Sequence, residues 1–277
     1  LSPTVHFVHV FPAGPDGGNP APIVVDADGM TDDEMRQVAR DHGYEAGFVL
    51  TAPEGFDYAL RFWVPNHEMS MCGHATVGAV WVLHRLGRLT KDELTLTTPG
   101  GVVNARLANG KVEISQPRGV VEPVPRIDDV LDVLGITEAT LAPFPVQNAS
   151  TARVKTLIPL RDPATLDALR PDFARMREVC DRIGSTGLYP YAPSDPANQV
   201  FDARQFPRSS GYPEDAATGI AAAALAFGLL ENGLVESTDR PIRIRQGRAM
   251  GRPSEITLRF SPDGLWLGGD VHEPRFT

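Results

Sequence analysis

The sequence predicts an α+β protein of two similar halves, each a set of strands built around one apolar helix. Three observations carry this. The chain has 277 residues, enough for two cores of ordinary size. Short strand-like runs, separated by Gly, Pro and Asn turns, recur along its length. One local pattern also occurs twice. Several strands lead to a loop ending in Gly and a small residue, which launches a hydrophobic helix, first at Cys72-Gly73-His74-Ala75-Thr76 and again at Asp215-Ala216-Ala217-Thr218-Gly219. The likeness is one of pattern, since sequence identity between the halves is too low to prove duplication.

The first half opens with a strand at Val5 to Val10, a turn-rich loop from Pro12 to Pro22 and an apolar strand at Ile23 to Val25. Thr31-Asp32-Asp33-Glu34 is a capping-box sequence, and Met35, Val38 and Ala39 give the helix behind it an apolar face as far as about Asp41, with Gly43 as the stop. Strands follow at Gly47 to Thr51, Tyr58 to Val64, Glu93 to Thr97, Gly101 to Leu107 and Lys111 to Ser115. Between them a helix runs from His74 or Ala75 to Arg85 or Leu86, on the stripe Val77, Val80, Trp81 and Leu83. Gln116 to Arg126 holds three prolines and little periodicity, so it reads as the linker. The expected domains are 1–118 and 119–267, with the tail 268–277 returning to the first.

The second half offers a short helix at Ile127 to Leu134, strands at Phe144 to Asn148 and Lys155 to Pro159, and a helix within Pro163 to Ile183. Strands at Gly187 to Tyr191 and Ala203 to Phe206 precede the Ala/Leu-rich helix Ala217 to Leu230. Strands at Ile242 to Gln246, Glu255 to Phe260 and Leu265 to Gly268 finish the pattern.

Composition narrows the function. A net charge of −9, with arginines scattered among acids, disfavours nucleic acid as a partner. No apolar run is long enough to span a bilayer and no secretion signal opens the chain, so the expectation is a cytoplasmic protein without a membrane partner. Two cysteines, Cys72 and Cys180, in unlike contexts support neither a disulfide framework nor a cysteine-rich metal site. The histidines and acids show no H-x-x-x-H or H-E-x-x-H spacing, and no Gly-rich phosphate loop is present. Neither a metal nor an organic cofactor is expected.

A helix starting at a Gly-containing loop presents free backbone N–H groups and positive partial charge, which suits a carboxylate, and two such ends facing each other would clamp one acid. Close helix packing explains the same small residues. Glu45, between a helix end and an apolar strand, is a candidate for proton transfer because desolvation would raise its pKa; a solvated loop acid is the plainer alternative. Cys72 at a helix N-terminus is either a thiolate base or a buried inert thiol. His74 is a donor or a cap, Asp215 and Glu214 are site acids or N-caps, and His67 and Glu68 belong to a site or to solvent.

Read in order, the motifs resemble those of the PhzF-like family, named for phenazine biosynthesis, across essentially the whole chain. They are Phe11 with Gly18-Asn19-Pro20-Ala21; Ala39-Arg40 before Glu45 and Phe48; Gly73-His74-Ala75-Thr76; Pro213-Glu214-Asp215-Ala216-Ala217-Thr218-Gly219; and Gln246-Gly247 with Met250-Gly251-Arg252-Pro253-Ser254. The resemblance implies a diaminopimelate epimerase-like fold, two pseudo-symmetric domains each with a curved sheet around a central helix and the site between them, in a homodimer. It further implies a cofactor-independent isomerase acting on a small unsaturated amino or ring carboxylic acid in natural-product biosynthesis, an alkylproline-type antibiotic pathway being one setting. Glu45 would carry the proton, with His74 and Asp215 as the other catalytic groups. Asn19, Cys72, Gly73, Ala75, Thr218, Gly219 and Ile220 would contact substrate. The chain departs from the phenazine pattern at Tyr44 and Ala46, where Ser and Thr flank the glutamate, and at Ala216 and Ile220, where Pro and Ser stand. Two other functions remain open: an epimerase or racemase using Cys72, whose partner position resembles Ala216, and a non-catalytic binding protein on the same fold.

Overall fold

The computed structural model describes residues 2–274. β1 (His6–Val10) pairs antiparallel with β2 (Asn19–Val24). β2 thus begins inside the expected loop. Pro20 and Pro22 are two residues apart and turn the same edge of the strand, which leaves Asn19, Ala21 and Ile23 to make the ladder to β1. α1 (Asp32–His42) starts at a complete capping box, in which Glu34 N–H donates to the Thr31 hydroxyl and Thr31 N–H donates to the Glu34 carboxylate at 2.7 Å. Gly43, with φ 73°, closes it in the left-handed region. β3 (Ala46–Leu50), β4 (Tyr58–Trp63) and β5 (Glu68–Met69) lead to α2 (Gly73–Arg85). β6 (Glu93–Thr98), β7 (Gly101–Ala108) and β8 (Lys111–Pro117) follow as an antiparallel meander.

The segment read as a linker is instead part of the sheet. Gln116 and Pro117 end β8, and β9 (Val120–Pro123) pairs with β10 (Gln147–Ser150) across α3 (Asp128–Leu134). Pro117 and Pro123 each stand last in their strand, where a missing N–H interrupts no ladder. β11 (Lys155–Pro159) precedes a helical stretch that breaks in two, α4 (Pro163–Asp167) and α5 (Met176–Ile183), around Pro171. β12 (Gly187–Asp195), β13 (Val200–Ala203) and β14 (Phe206–Pro207) then bring the chain to α6 (Gly219–Glu231), so the single strand expected at 203–206 is two. β15 (Ile242–Gln246), β16 (Ser254–Ser261) and β17 (Gly264–Gly269) follow. β18 (Val271–His272) pairs with β1, and β17 pairs with β8, so the chain's end lies against the first half; the rest of the expected tail, 275–277, falls outside the described residues.

The described strands form one continuous sheet that curls around α2 and α6. Those two helices share one inner core, with Val77, Val80 and Leu83 from α2 and Ala222, Leu225 and Leu229 from α6. α6 is apolar on every face, as a helix enclosed by strands must be. α1 covers the outer face of the first half through Met35, Val38 and Ala39, while α3, α4 and α5 cover that of the second. No helix among the described residues is long and apolar enough to cross a membrane.

Candidate active site

α2 and α6 meet N-terminus to N-terminus. A Cβ on Gly73 would stand 3.2 Å from the Ile220 nitrogen and 3.3 Å from Gly219 Cα, so at this seam backbone touches backbone and only glycine fits without movement. The close-packing reading of the small residues therefore holds at this seam, and the packing brings two positive helix ends together.

Around the α2 end, three buried groups converge. The Cys72 thiol donates to Glu45 Oε2 at 3.0 Å, His74 Nδ1 lies 3.1 Å from the same oxygen, and Sγ and Nδ1 are 3.4 Å apart. His74 Nε2 is buried with no partner among the described residues. These donors all lie within 4.8 Å of one another, a convergence that spacing did not reveal, and S, N and O atoms so placed could hold a transition metal. The orphaned Nε2 argues otherwise, because a metal-bound imidazole ordinarily donates its second nitrogen to a fixed acceptor.

At the α6 end the Asp215 carboxylate is satisfied on both oxygens. Asp215 accepts from Asn19 Nδ2 at 2.6 Å on one oxygen and from the Thr218 hydroxyl at 2.6 Å on the other. Asn19 also donates to Ala217 O at 2.7 Å, tying β2 of the first half to the second. Gln246 donates to Asp215 O at 2.8 Å and to Thr218 at 3.0 Å, and accepts from the Tyr189 hydroxyl at 2.7 Å. Gly247 is required beside it: with φ 84°, a Cβ there would stand 2.2 Å from Arg252 O and 2.7 Å from Ala216 O. Glu214, an N-cap candidate from sequence, instead pairs with Arg204 at 2.7 and 3.1 Å, and Arg204 also donates to Leu166 O and Leu169 O.

Asn19, Glu45 and Asp215 open together onto a cleft of about 470 Å³ walled by Tyr44, Phe173, Tyr212, Ala216, Met250 and Arg252. Cys72, Gly73, His74, Ala75, Thr218, Gly219 and Ile220 do not line it; Ile220 belongs to the inner core, so the departure from the family pattern that reaches the cleft is Tyr44, with Ala216. Arg252 donates to the Tyr44 hydroxyl at 2.9 Å from the opposite half. The expected role of desolvation also falls on a different residue. Burial would push Glu45 up, but the charge His74 can carry, the Arg153 guanidinium and the Cys72 thiol outweigh it and hold that carboxyl below its usual range. Burial, reinforced by the nearby Glu45 charge, pushes Asp215 up to about 6. Burial and Glu45 likewise push the Cys72 thiol far up, so at neutral pH it is a donor and not a thiolate.

Sequence reasoning missed Arg153, Lys155 and Tyr212. The Tyr212 hydroxyl faces Glu45 but is buried without a partner in hydrogen-bond geometry. Lys155 is fully buried, and burial with the Arg153 charge lowers its pKa to about 7. A lysine heading a strand that continues Thr-Leu-Ile-Pro was the available signal.

Comparison with known proteins agrees with this architecture. Residues 8–265 match the family described as PhzC-PhzF, phenazine biosynthesis-like protein, and the chain belongs to that family. It is 30% identical to an uncharacterized isomerase, YddE, of Salmonella typhimurium, over 98% of this chain and 96% of that one. It is also 30% identical to the trans-2,3-dihydro-3-hydroxyanthranilate isomerase of Pseudomonas aeruginosa PAO1, over 93% and 90%. The crystal structure of a PhzF-family phenazine biosynthesis protein from Bacillus anthracis superposes with a TM-score of 0.86 at 24% identity, covering 98% of this chain and 96% of that one.

Proposed function

We propose that this protein is an isomerase that moves a proton, and with it a double bond, in a small unsaturated amino or ring carboxylic acid without a cofactor. One observation carries the reading: two buried carboxylates, Glu45 and Asp215, face one largely apolar cleft between residues 1–118 and 119–267 with their pKa values pushed apart. Glu45, ionised, takes a proton from a carbon next to a carbonyl-type group, and the positive ends of α2 and α6, set behind the cleft wall, favour the delocalised anion through their dipoles. Glu45 then returns the proton at the far end of the conjugated system, while His74 holds Glu45 and Asp215 meets a polar substrate group. Tyr44 puts an aromatic ring, its hydroxyl already taken by Arg252, where the phenazine pattern has Ser, which favours a less polar substrate than trans-2,3-dihydro-3-hydroxyanthranilate, such as an alkyl-pyrroline carboxylate of an antibiotic pathway. A homodimer in the cytoplasm is part of the same proposal and rests on family resemblance.

The epimerase reading needs Cys72 as a thiolate base. Its raised pKa, its donation to Glu45 and the alanine at 216 weigh against that. The test is solvent exchange in D₂O with a panel containing dihydrohydroxyanthranilate and alkyl-pyrroline carboxylates, followed by NMR. Carbon-bound deuterium in wild type and none in Glu45→Gln is the expected result; exchange that survives Glu45→Gln and vanishes in Cys72→Ala would overturn it in favour of an epimerase.

A further inference from the structure

We propose that a second cavity, at the seam between the halves, binds a small oxyanion group, a carboxylate or phosphate, through the guanidinium of Arg153. The cavity measures about 230 Å³, and its lining includes Glu68, Met69 and Ser70 from the first half and Arg153, Ser209 and Ser210 from the second. None of the residues lining the larger cleft lines it. Its volume is that of several waters, enough for one such group with its hydration.

The charges around it single out Arg153. Arg208 is taken by Asp181, Glu68 accepts from Arg61 on both oxygens at 2.6 and 2.9 Å, and His67 Nδ1 lies 3.0 Å from Glu68 O. Arg153 has no carboxylate partner among the described residues. Its Nη1 is satisfied only by the Met69 sulfur at 3.4 Å, and its Nε is buried with no acceptor. A partly buried guanidinium carries five donors in a rigid fork matched to carboxylate or phosphate oxygens, and leaving it unmatched is costly. Ser70, Ser209 and Ser210 on the wall each carry a hydroxyl able to donate. The position is informative as well: the segment through Ser70 runs directly into Cys72, that through Ser210 runs into Asp215, and the Arg153 charge acts on both Glu45 and Cys72. An anion seated here would offset the charge that keeps Glu45 ionised. The inference does not depend on the isomerase reading.

Calorimetric titration with inorganic phosphate at fixed ionic strength tests it. Saturable binding to wild type is expected, weakened roughly tenfold or more in Arg153→Gln. Ser209→Glu, which leaves the guanidinium in place and puts a carboxylate in the cavity, should abolish binding equally and covers the case in which Arg153→Gln does not fold. Arg252→Gln, on the larger cleft, should leave phosphate binding unchanged. Absence of saturable binding, an unchanged affinity in Ser209→Glu, or a loss that follows Arg252→Gln would overturn the assignment. Acetate and glutarate as competitors identify the source: equal displacement by both marks a site for a free anion. Displacement by glutarate alone, lost in Arg252→Gln, marks one for the remote acid of a molecule that also reaches the cleft.

Discussion

The two helix ends that meet at the centre of this protein are alike in backbone and opposite in chemistry. At α6, both carboxylate oxygens of Asp215 are matched, within a network of Asn19, Thr218, Gln246 and Tyr189. At α2, Glu45 gathers a thiol and an imidazole, while His74 Nε2 and the Tyr212 hydroxyl stay unpartnered. Buried polar groups are nearly always satisfied, so a cluster of exceptions marks where a ligand completes the structure. Under the proposed function the contrast makes one end a fixed holder and the other the end poised to react, although both were launched by the same sequence pattern.

The largest expected effect breaks the reactive end. Glu45→Gln should reduce solvent exchange into substrate by about 10²–10⁴-fold while the fold, followed by circular dichroism, persists. Retained exchange would erase the distinction between the ends.

Next comes the holder. Asp215→Asn keeps a group of the same shape but turns one acceptor into a donor facing Asn19 or Thr218, and exchange should fall roughly tenfold to a hundredfold. It also sharpens the comparison through pH. The folded pKa of Asp215 is raised to about 6, so its contribution favours the fold below its unfolded pKa and is lost as pH rises through about 6. Chemical denaturation of wild type should show that decline between roughly pH 4 and 7, and Asp215→Asn should lack it; identical pH profiles would count against the burial of that charge. Glu45 runs the other way, its lowered pKa giving stability that disappears as pH falls through the folded value.

Smaller effects compare the backbones. Gly73→Ala meets main chain of the other helix, which cannot yield, and should cost about 1–3 kcal/mol by thermal denaturation. Gly219→Ala meets the tip of Leu267 at 3.1 Å, a side chain that can turn aside, and should cost less. Smallest is Cys72→Ala, expected to leave exchange within about tenfold, with slow alkylation of the wild-type thiol at neutral pH as the companion measurement. Rapid alkylation would reopen the thiolate mechanism.

How much of this was legible in advance depended on range along the chain. The capping box at Thr31, the stop at Gly43 and each of the repeated helix starts are patterns a few residues long, and local propensity with apolar periodicity determined the α+β class and the two similar halves, while the ordered motifs, by family resemblance, singled out Glu45, His74 and Asp215. Only the tertiary structure decided the rest. Strand pairing drew the proline-rich segment at 116–126 into the sheet, because ladder partners tens of residues away use the edge that the prolines leave intact. Asn19 reached Asp215 across 196 residues, Arg153 arrived beside Glu45 from the other half, and Ile220 turned into the core and away from the cleft. The balance in which His74, Arg153 and Cys72 outweigh burial at Glu45, while burial and the Glu45 charge raise Asp215, arises from groups far apart in the chain, and no local pattern encodes it.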